Sequence, residues 1–274
     1  MQLRILSAIV MLSLIACKQP TSSNQASYLD YSKSDSKLSG GAKLIPIKTP
    51  LGEFKVWTKR VGNNPTLKVL LLHGGPGATS EYFESADSYF PGAGIEYYYY
   101  DQLGSGRSDN PAKDTLWDLP RFVDEVEQVR LALGLDSNNF VLLGHSWGGI
   151  LAMEYALKYQ KNLKGLIISN MVASIPEYVK YANEVLGPQL PADILQKIRA
   201  FEAKEDYTNP EYLALIQQYY YPEHVLRMDP NAMKKISESV QHGEFLFCPN
   251  GSHMSMYDDQ ETYYTGVIKF LKKL

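Results

Sequence analysis

The sequence predicts an α/β domain whose mostly parallel sheet is covered by helices on both faces, and three observations carry that expectation. Leu67 to Leu72, Ile95 to Tyr100, Phe140 to Leu143 and Leu163 to Ser169 are compact apolar runs of the kind found in doubly covered parallel strands. Helical patterns separate the last three, which calls for crossover connections rather than hairpins. The chain of 274 residues is 45% hydrophobic and 21% charged, enough to bury a full core and unlike a disordered composition. The 27 Lys and Arg against 30 Asp and Glu leave a net charge of -3, so no basic field exists for nucleic acid. Two Cys supply no disulfide framework, and five His include no pair at metal-ligand spacing.

Taken in order, the first element is a processing segment. Arg4 precedes an apolar run from Ile5 to Ala16, which as a helix spans ~18 Å against a hydrocarbon core of roughly 30 Å. This is a secretory signal rather than a membrane span. Leu14-Ile15-Ala16-Cys17 resembles the lipobox of bacterial lipoproteins, which implies that residues 1–17 are a lipoprotein signal, that Cys17 is lipidated, and that the protein is exported and membrane-anchored through the lipid. A plain signal peptide cut near Ala16 is the alternative. Residues 18–40, rich in Ser, Lys, Asn and Gln, read as a flexible tether.

The folded body begins near Gly41. Ala42 to Thr49 and Glu53 to Arg60 flank Pro50-Leu51-Gly52, a hairpin signal. Phe122, Val126, Val129 and Leu133 form one apolar helical stripe stopped by Gly134, and Trp147 to Tyr159 reads as a second helix. Pro176 to Leu186, Ala192 to Glu205 and Glu211 to Tyr221 break the rhythm as three further helices, and Glu244 to Cys248 reads as a last strand.

Chemistry gathers at the carboxyl ends of the strands, where open α/β sheets place their sites. Gly144-His145-Ser146-Trp147-Gly148 is GxSxG between a strand and a helix, a turn so tight that side chains at 144 or 148 collide with their neighbours while Ser146 projects its hydroxyl. His73-Gly74-Gly75-Pro76-Gly77 ends another strand; its glycines can aim N–H groups into a cavity and Pro76 stiffens the loop, with His73 as a brace. A phosphate loop is the competing reading, but no GK[ST] or GxGxxG helix follows.

A third end runs Asp101-Gln102-Leu103-Gly104-Ser105-Gly106-Arg107-Ser108-Asp109. Together with the HGGPG and GHSWGG motifs, in this order, it resembles the proline iminopeptidase family of the α/β-hydrolase fold over residues 43–174 and 229–273, with Leu103 where many members have Arg. The resemblance implies a serine aminopeptidase that removes N-terminal residues, often Pro, from short peptides through an acyl-enzyme and without a cofactor. It implies Ser146 as nucleophile, His253 in the loop after the last strand as general base, and the backbone N–H groups of Gly75 and Trp147 as oxyanion hole. Residues 41–175 and 229–274 become the core and 176–228 a helical cap, whose Glu202, Glu211 and Glu223 are candidates to hold the substrate ammonium. His145, His224 and His242 are expected in solvated structural roles, and Cys248 in the core.

The acid of the triad has no clear carrier. The family has an apolar strand ending in Asp between the cap and the last helix-strand unit, whereas here Gln217 to Tyr221 runs through Pro222 to Met228 into Asp229-Pro230 and a helix from Asn231 to Val240. The acid-bearing strand is therefore expected to be deleted. Asp229, delivered by a short strand at His224 to Met228, is the nearest replacement, the alternative being a helix N-cap. Losing that strand forces the last one either to leave a gap or to shift by about 4.8 Å toward the sixth. Weak hydrolysis follows if no acid reaches His253. An esterase or amidase on small acyl substrates, and a catalytically weak membrane-tethered binding protein, are the other readings.

Overall fold

The computed structural model describes residues 41–171, 174–220 and 243–274. Among them, six strands form one sheet: β1 (Ala42–Thr49), β2 (Gly52–Val61), β3 (Lys68–Leu72), β4 (Glu96–Asp101), β5 (Phe140–His145) and β6 (Gly165–Ser169), in the order β1-β2-β4-β3-β5-β6. β1 and β2 make the expected hairpin around Pro50-Leu51, with Thr49 opposite Gly52, and β2 runs antiparallel to β4. β4, β3, β5 and β6 are mutually parallel, so their carboxyl ends open on one edge.

Period-two alternation sorts the apolar residues to two faces. Leu70, Leu72, Tyr98, Tyr100, Phe140 and Leu142 point to the side packed by α1 (Leu119–Ala132) and α2 (Trp147–Tyr159), against Phe122, Val126, Val129, Leu151 and Tyr155. Val69, Leu71, Tyr97, Tyr99, Val141 and Leu143 point the other way, against Phe83, Phe90, Tyr263, Tyr264 and Val267. Leu70, Leu71 and Leu72 are fully buried, worth about 2 kcal/mol each. Both covered faces explain why these strands read as unbroken apolar runs rather than as alternating ones.

The helix boundaries have local causes. Asp118 caps α1 by accepting from the Arg121 N–H at 2.9 Å, and Gly134 at φ 64° ends it, with Leu135 N–H returning to the Arg130 carbonyl at 3.1 Å. The four tyrosines of β4 reach carboxylates: Tyr97 and Tyr99 bond Asp87, Tyr98 bonds Glu96, and Tyr100 bonds Glu125. Glu125 also accepts from the Leu103 N–H at 2.9 Å and pairs with the buried Arg121.

Beyond β6 come α3 (Ile175–Tyr181), α4 (Ala192–Glu202) and α5 (Pro210–Leu215), α3 and α5 continuing into wider π-type turns. Leu190, Ile194, Ile198 and Leu215 give α4 and α5 an apolar cluster of their own. α4 ends three residues earlier than expected, at a turn where Glu205 takes φ 56°.

One expected element is not there. Glu244 to Cys248 forms no ladder, and among the described residues nothing extends the sheet past β6 from this segment. A strand exists only when a partner edge lies within hydrogen-bonding distance, and this segment is held elsewhere. Glu244 pairs with Lys273 at 2.7 Å, and Leu246 lies over Gly266 of the last helix, while Leu246 and Phe247 stay exposed. With no last strand formed by this segment, neither the gap nor the inward shift expected of it arises. α6 (Ser255–Asp258) and α7 (Gln260–Leu271) follow, α7 packing Tyr263, Tyr264, Val267 and Leu271 under the sheet.

Candidate active site

Ser146 stands between β5 and α2 at φ 55°, ψ -124°, a strained conformation for a residue with a side chain. The strain is imposed by contact: a Cβ on Gly144 would lie 2.1 Å from the Gly148 carbonyl oxygen, and one on Gly148 the same distance from the Leu72 oxygen. Only glycines let α2 start this close to β3 and β5. The Ser146 N–H is held by the Ser169 carbonyl at 3.0 Å, which ties the turn to the end of β6.

The loop after β3 lies against Ser146, since a Cβ on Gly74 would come 2.8 Å from the Ser146 Cβ. Gly74 donates its N–H to the Tyr82 hydroxyl at 2.6 Å. Gly75 sits at φ 112° before a cis Pro76. Trp147 opens α2, where a helix leaves its first N–H groups without carbonyl partners, and its indole donates to Gln102 Oε1 at 3.2 Å. Gln102 in turn fixes His73: its N–H donates to His73 Nε2 at 3.0 Å and its side-chain amide to the His73 carbonyl at 2.9 Å. His73 donates from Nδ1 to the Gly74 carbonyl at 2.9 Å, so it is a neutral brace, and burial lowers its pKa accordingly.

His253 arrives on the loop before α6. Asn170, at φ 48° just past β6, holds that loop from both sides, donating to the Ser252 carbonyl at 3.0 Å and accepting from the Ser255 hydroxyl at 2.9 Å. The His253 carbonyl also meets His145 Nε2 at 2.7 Å, and the two rings lie 4.8 Å apart. His253 is partly buried, which lowers its pKa and favours the neutral base form. Among the described residues its Nδ1 is buried without a hydrogen-bond partner. Carboxylates near it in sequence are engaged elsewhere: Asp258 holds Ser252, and Asp259 holds the Asn250 N–H at 3.2 Å. Among the described residues no hydrogen bond joins Ser146 Oγ to the His253 ring.

His145 corrects the expectation of a solvated ring. It is 2% exposed, bonded through Nδ1 to the Tyr82 hydroxyl at 3.1 Å, and burial lowers its pKa to about 4. Cys248 is half-buried against the lower core, and burial, with Asp259 nearby, pushes its thiol up to about 11. Of the carboxylates on the helices after β6, Glu202 is partly buried and its pKa is raised by burial, with Tyr212 as its hydrogen-bond donor. Glu211 is exposed at the start of α5, its N–H capped by Asn209 at 2.9 Å. Glu223, Asp229, His224, His242, Cys17 and the tether lie outside the described residues. Sequence reasoning missed Tyr82 and Asn170; a polar Ser169-Asn170 pair at the end of a buried strand was a signal for the second, and Tyr82 had none.

Comparison with known proteins bears on this geometry. The family model described as alpha/beta hydrolase fold matches residues 68–196. A proline iminopeptidase of Elizabethkingia meningoseptica is 47% identical over 291 residues, covering 84% of this chain and 97% of the relative. One of Flavobacterium johnsoniae is 46% identical over 288 residues, covering 83% and 97%. The crystal structure of proline iminopeptidase from Mycobacterium smegmatis superposes with a TM-score of 0.65 at 23% identity, over 85% of this chain and 98% of that one. In the first alignment, 84% of 274 residues is about 230, so about 60 of the 291 aligned positions belong to the relative alone, and this chain is shorter inside the matched region. The chain is a hydrolase of the α/β-hydrolase fold and belongs to the proline iminopeptidase family of serine aminopeptidases.

Proposed function

We propose that this chain releases N-terminal residues, Pro among them, from short peptides through an acyl-enzyme on Ser146. The observation that carries the reading is the strained turn at Ser146, which packs against the glycine loop of residues 73–77 while its neighbour His145 holds the His253 loop. His253 takes the Ser146 proton as Oγ attacks the carbonyl carbon of the N-terminal residue. Gly75 and Trp147 N–H groups receive the oxyanion, each worth about 10²- to 10³-fold. The C–N bond then breaks, His253 returns the proton to the leaving amine, and water activated by the same ring hydrolyses the ester. Residues 176–228 act as a cap over the core of residues 41–175 and 229–274. Glu202 is its best candidate for holding the substrate ammonium, because a partly buried carboxylate pairs well with a cation and poorly with a blocked amine.

A weak enzyme is the reading favoured by His253 Nδ1, which has no partner among the described residues. A triad acid keeps the base in the right tautomer, and neutralising one elsewhere costs about 10⁴-fold. We expect Asp229→Asn to change turnover by less than about threefold; a loss near 10⁴-fold would restore Asp229 as the acid. The test of the whole reading is a fluorophosphonate probe with proline and N-acetylproline anilides. Labelling lost in Ser146→Ala, with the free amine preferred, is the expected outcome. Equal rates on blocked and free substrates would move the reading to a general amidase or esterase, and an unlabelled wild type to a binding protein. Cys17, by its lipobox sequence, anchors the protein to a membrane, so Cys17→Ala should release it; among the described residues no helix is long and apolar enough to cross one.

A further inference from the structure

We propose that Tyr82 and His145 form a positioning relay that ties the glycine loop of residues 73–77 to the His253 loop, and so sets the reach from His253 to Ser146. The inference rests on the reading of Ser146 and His253 as nucleophile and base.

For a neutral His145 ring, hydrogen-bond polarity allows one arrangement only. A backbone carbonyl accepts, so His145 Nε2 carries the hydrogen that meets the His253 oxygen at 2.7 Å. The neutral ring then offers Nδ1 as an acceptor, and the Tyr82 hydroxyl 3.1 Å away donates to it. With its proton committed, the Tyr82 oxygen accepts the Gly74 N–H at 2.6 Å. The sequence Gly74 N–H to Tyr82 to His145 to His253 carbonyl is therefore directional and complete, and it requires His145 to be neutral. Burial supplies that condition, since His145 titrates at about 4. Among the described residues, the titratable groups facing it are Tyr82, from the 3-10 segment Ser80–Ser88, and His253.

The ring has little freedom to turn. Tyr82 meets it edge-on at 5.2 Å, Phe83 edge-on at 6.3 Å, and His253 tilted at 4.8 Å. His145 itself ends β5, where it pairs with Ser169, so the relay measures the His253 loop against the strand that carries Ser146. In a complete triad a carboxylate orients the base through Nδ1. Among the described residues that nitrogen has no partner, and the carbonyl anchor together with the ring contact holds His253.

The experiment compares Tyr82→Phe, His145→Leu and His145→Gln with wild type for turnover of proline anilide. Tyr82→Phe and His145→Leu should lower kcat by about 10- to 10²-fold while KM moves less than about twofold, the scale of a base displaced by a fraction of an ångström. His145→Gln, whose amide can accept from Tyr82 and donate to the His253 carbonyl, should recover to within about threefold of wild type. Wild-type kcat in His145→Leu, or equal losses in the Leu and Gln variants, would overturn the relay. Nitrogen NMR of the imidazoles gives a readout that needs no activity. His145 should be the Nε2–H tautomer down to about pH 5, and an Nδ1–H tautomer would overturn the relay whether or not Ser146 reacts. A wild type that fluorophosphonate fails to label instead overturns the reading of Ser146, and the relay then stands or falls on the tautomer.

Discussion

Replacing Gly148 by Ala tests whether the turn at Ser146 depends on bare backbone. The new Cβ would lie 2.1 Å from the Leu72 oxygen, 2.7 Å from its carbon and 2.8 Å from the His73 oxygen. Ordinary contact begins at 3.4 Å, so the shortfall against the nearest atom is about 1.3 Å. None of the three atoms belongs to a side chain that could swing aside. β3 cannot yield easily either, because Leu72 is in register with Gly144 in the ladder to β5. The start of α2 must therefore retreat by about 1 Å, taking the Trp147 N–H with it. Overpacking of this kind costs about 1–3 kcal/mol, and a displacement of that size near reacting atoms about 10²-fold in rate. Urea denaturation and the rate of fluorophosphonate labelling measure the two effects. Gly92→Ala is the control: its Cβ meets open space and its φ is ordinary, so stability should stay level or rise by about 0.4–1 kcal/mol. A Gly148→Ala protein with the wild-type denaturation midpoint and labelling rate would refute the argument from close approach.

Removing Glu125 while keeping Arg121 leaves a buried guanidinium without its partner, so Glu125→Leu should cost about 3–5 kcal/mol in urea denaturation. Adding Arg121→Met should recover most of that loss, and failure to recover would mean that the Tyr100 and Leu103 bonds to Glu125 matter more. Acid should destabilise the fold before the carboxylates titrate. His73, His145 and His253 are held below their unfolded pKa by burial, so the unfolded chain binds more protons as pH falls below about 6.5. The stability they contribute is whole above that value and is lost down to about pH 4, His145 accounting for about 3 kcal/mol of it. Denaturation midpoints between pH 7 and 4 should show this slope, and His145→Gln should flatten it.

Much of the architecture was legible because it rests on local rules. β3 to β6 announce themselves as apolar runs since both faces of each are covered, and the glycines at 144 and 148 mark the turn since no other residue fits there. What eluded sequence reasoning depends on partners. Glu244 to Cys248 has the composition of a strand, but pairing is a property of the neighbouring edge, and this segment is held by Lys273 and α7. His145 was read as solvated because nothing in its surroundings along the chain predicts that Tyr82, 63 residues away, will cover it. The acid of the triad is the part least legible in the sequence, because the stretch from Pro222 to Val240 gives no apolar strand pattern that would deliver one.

The phenols of β4 have a consequence for spectroscopy. Burial, helped by the carboxylates they face, raises Tyr99 and Tyr100 well above the ordinary value near 10, and burial does the same for Tyr264 beneath the sheet. As base is added, the exposed members of the chain's 20 tyrosines ionise first, and these three stay silent until the sheet comes apart. Once released they surrender their protons at once, which pulls the equilibrium further toward the open chain. The ultraviolet band of tyrosinate should therefore rise in two stages, a gradual one from the surface and an abrupt one that signals the collapse of the molecule's centre, with no label attached.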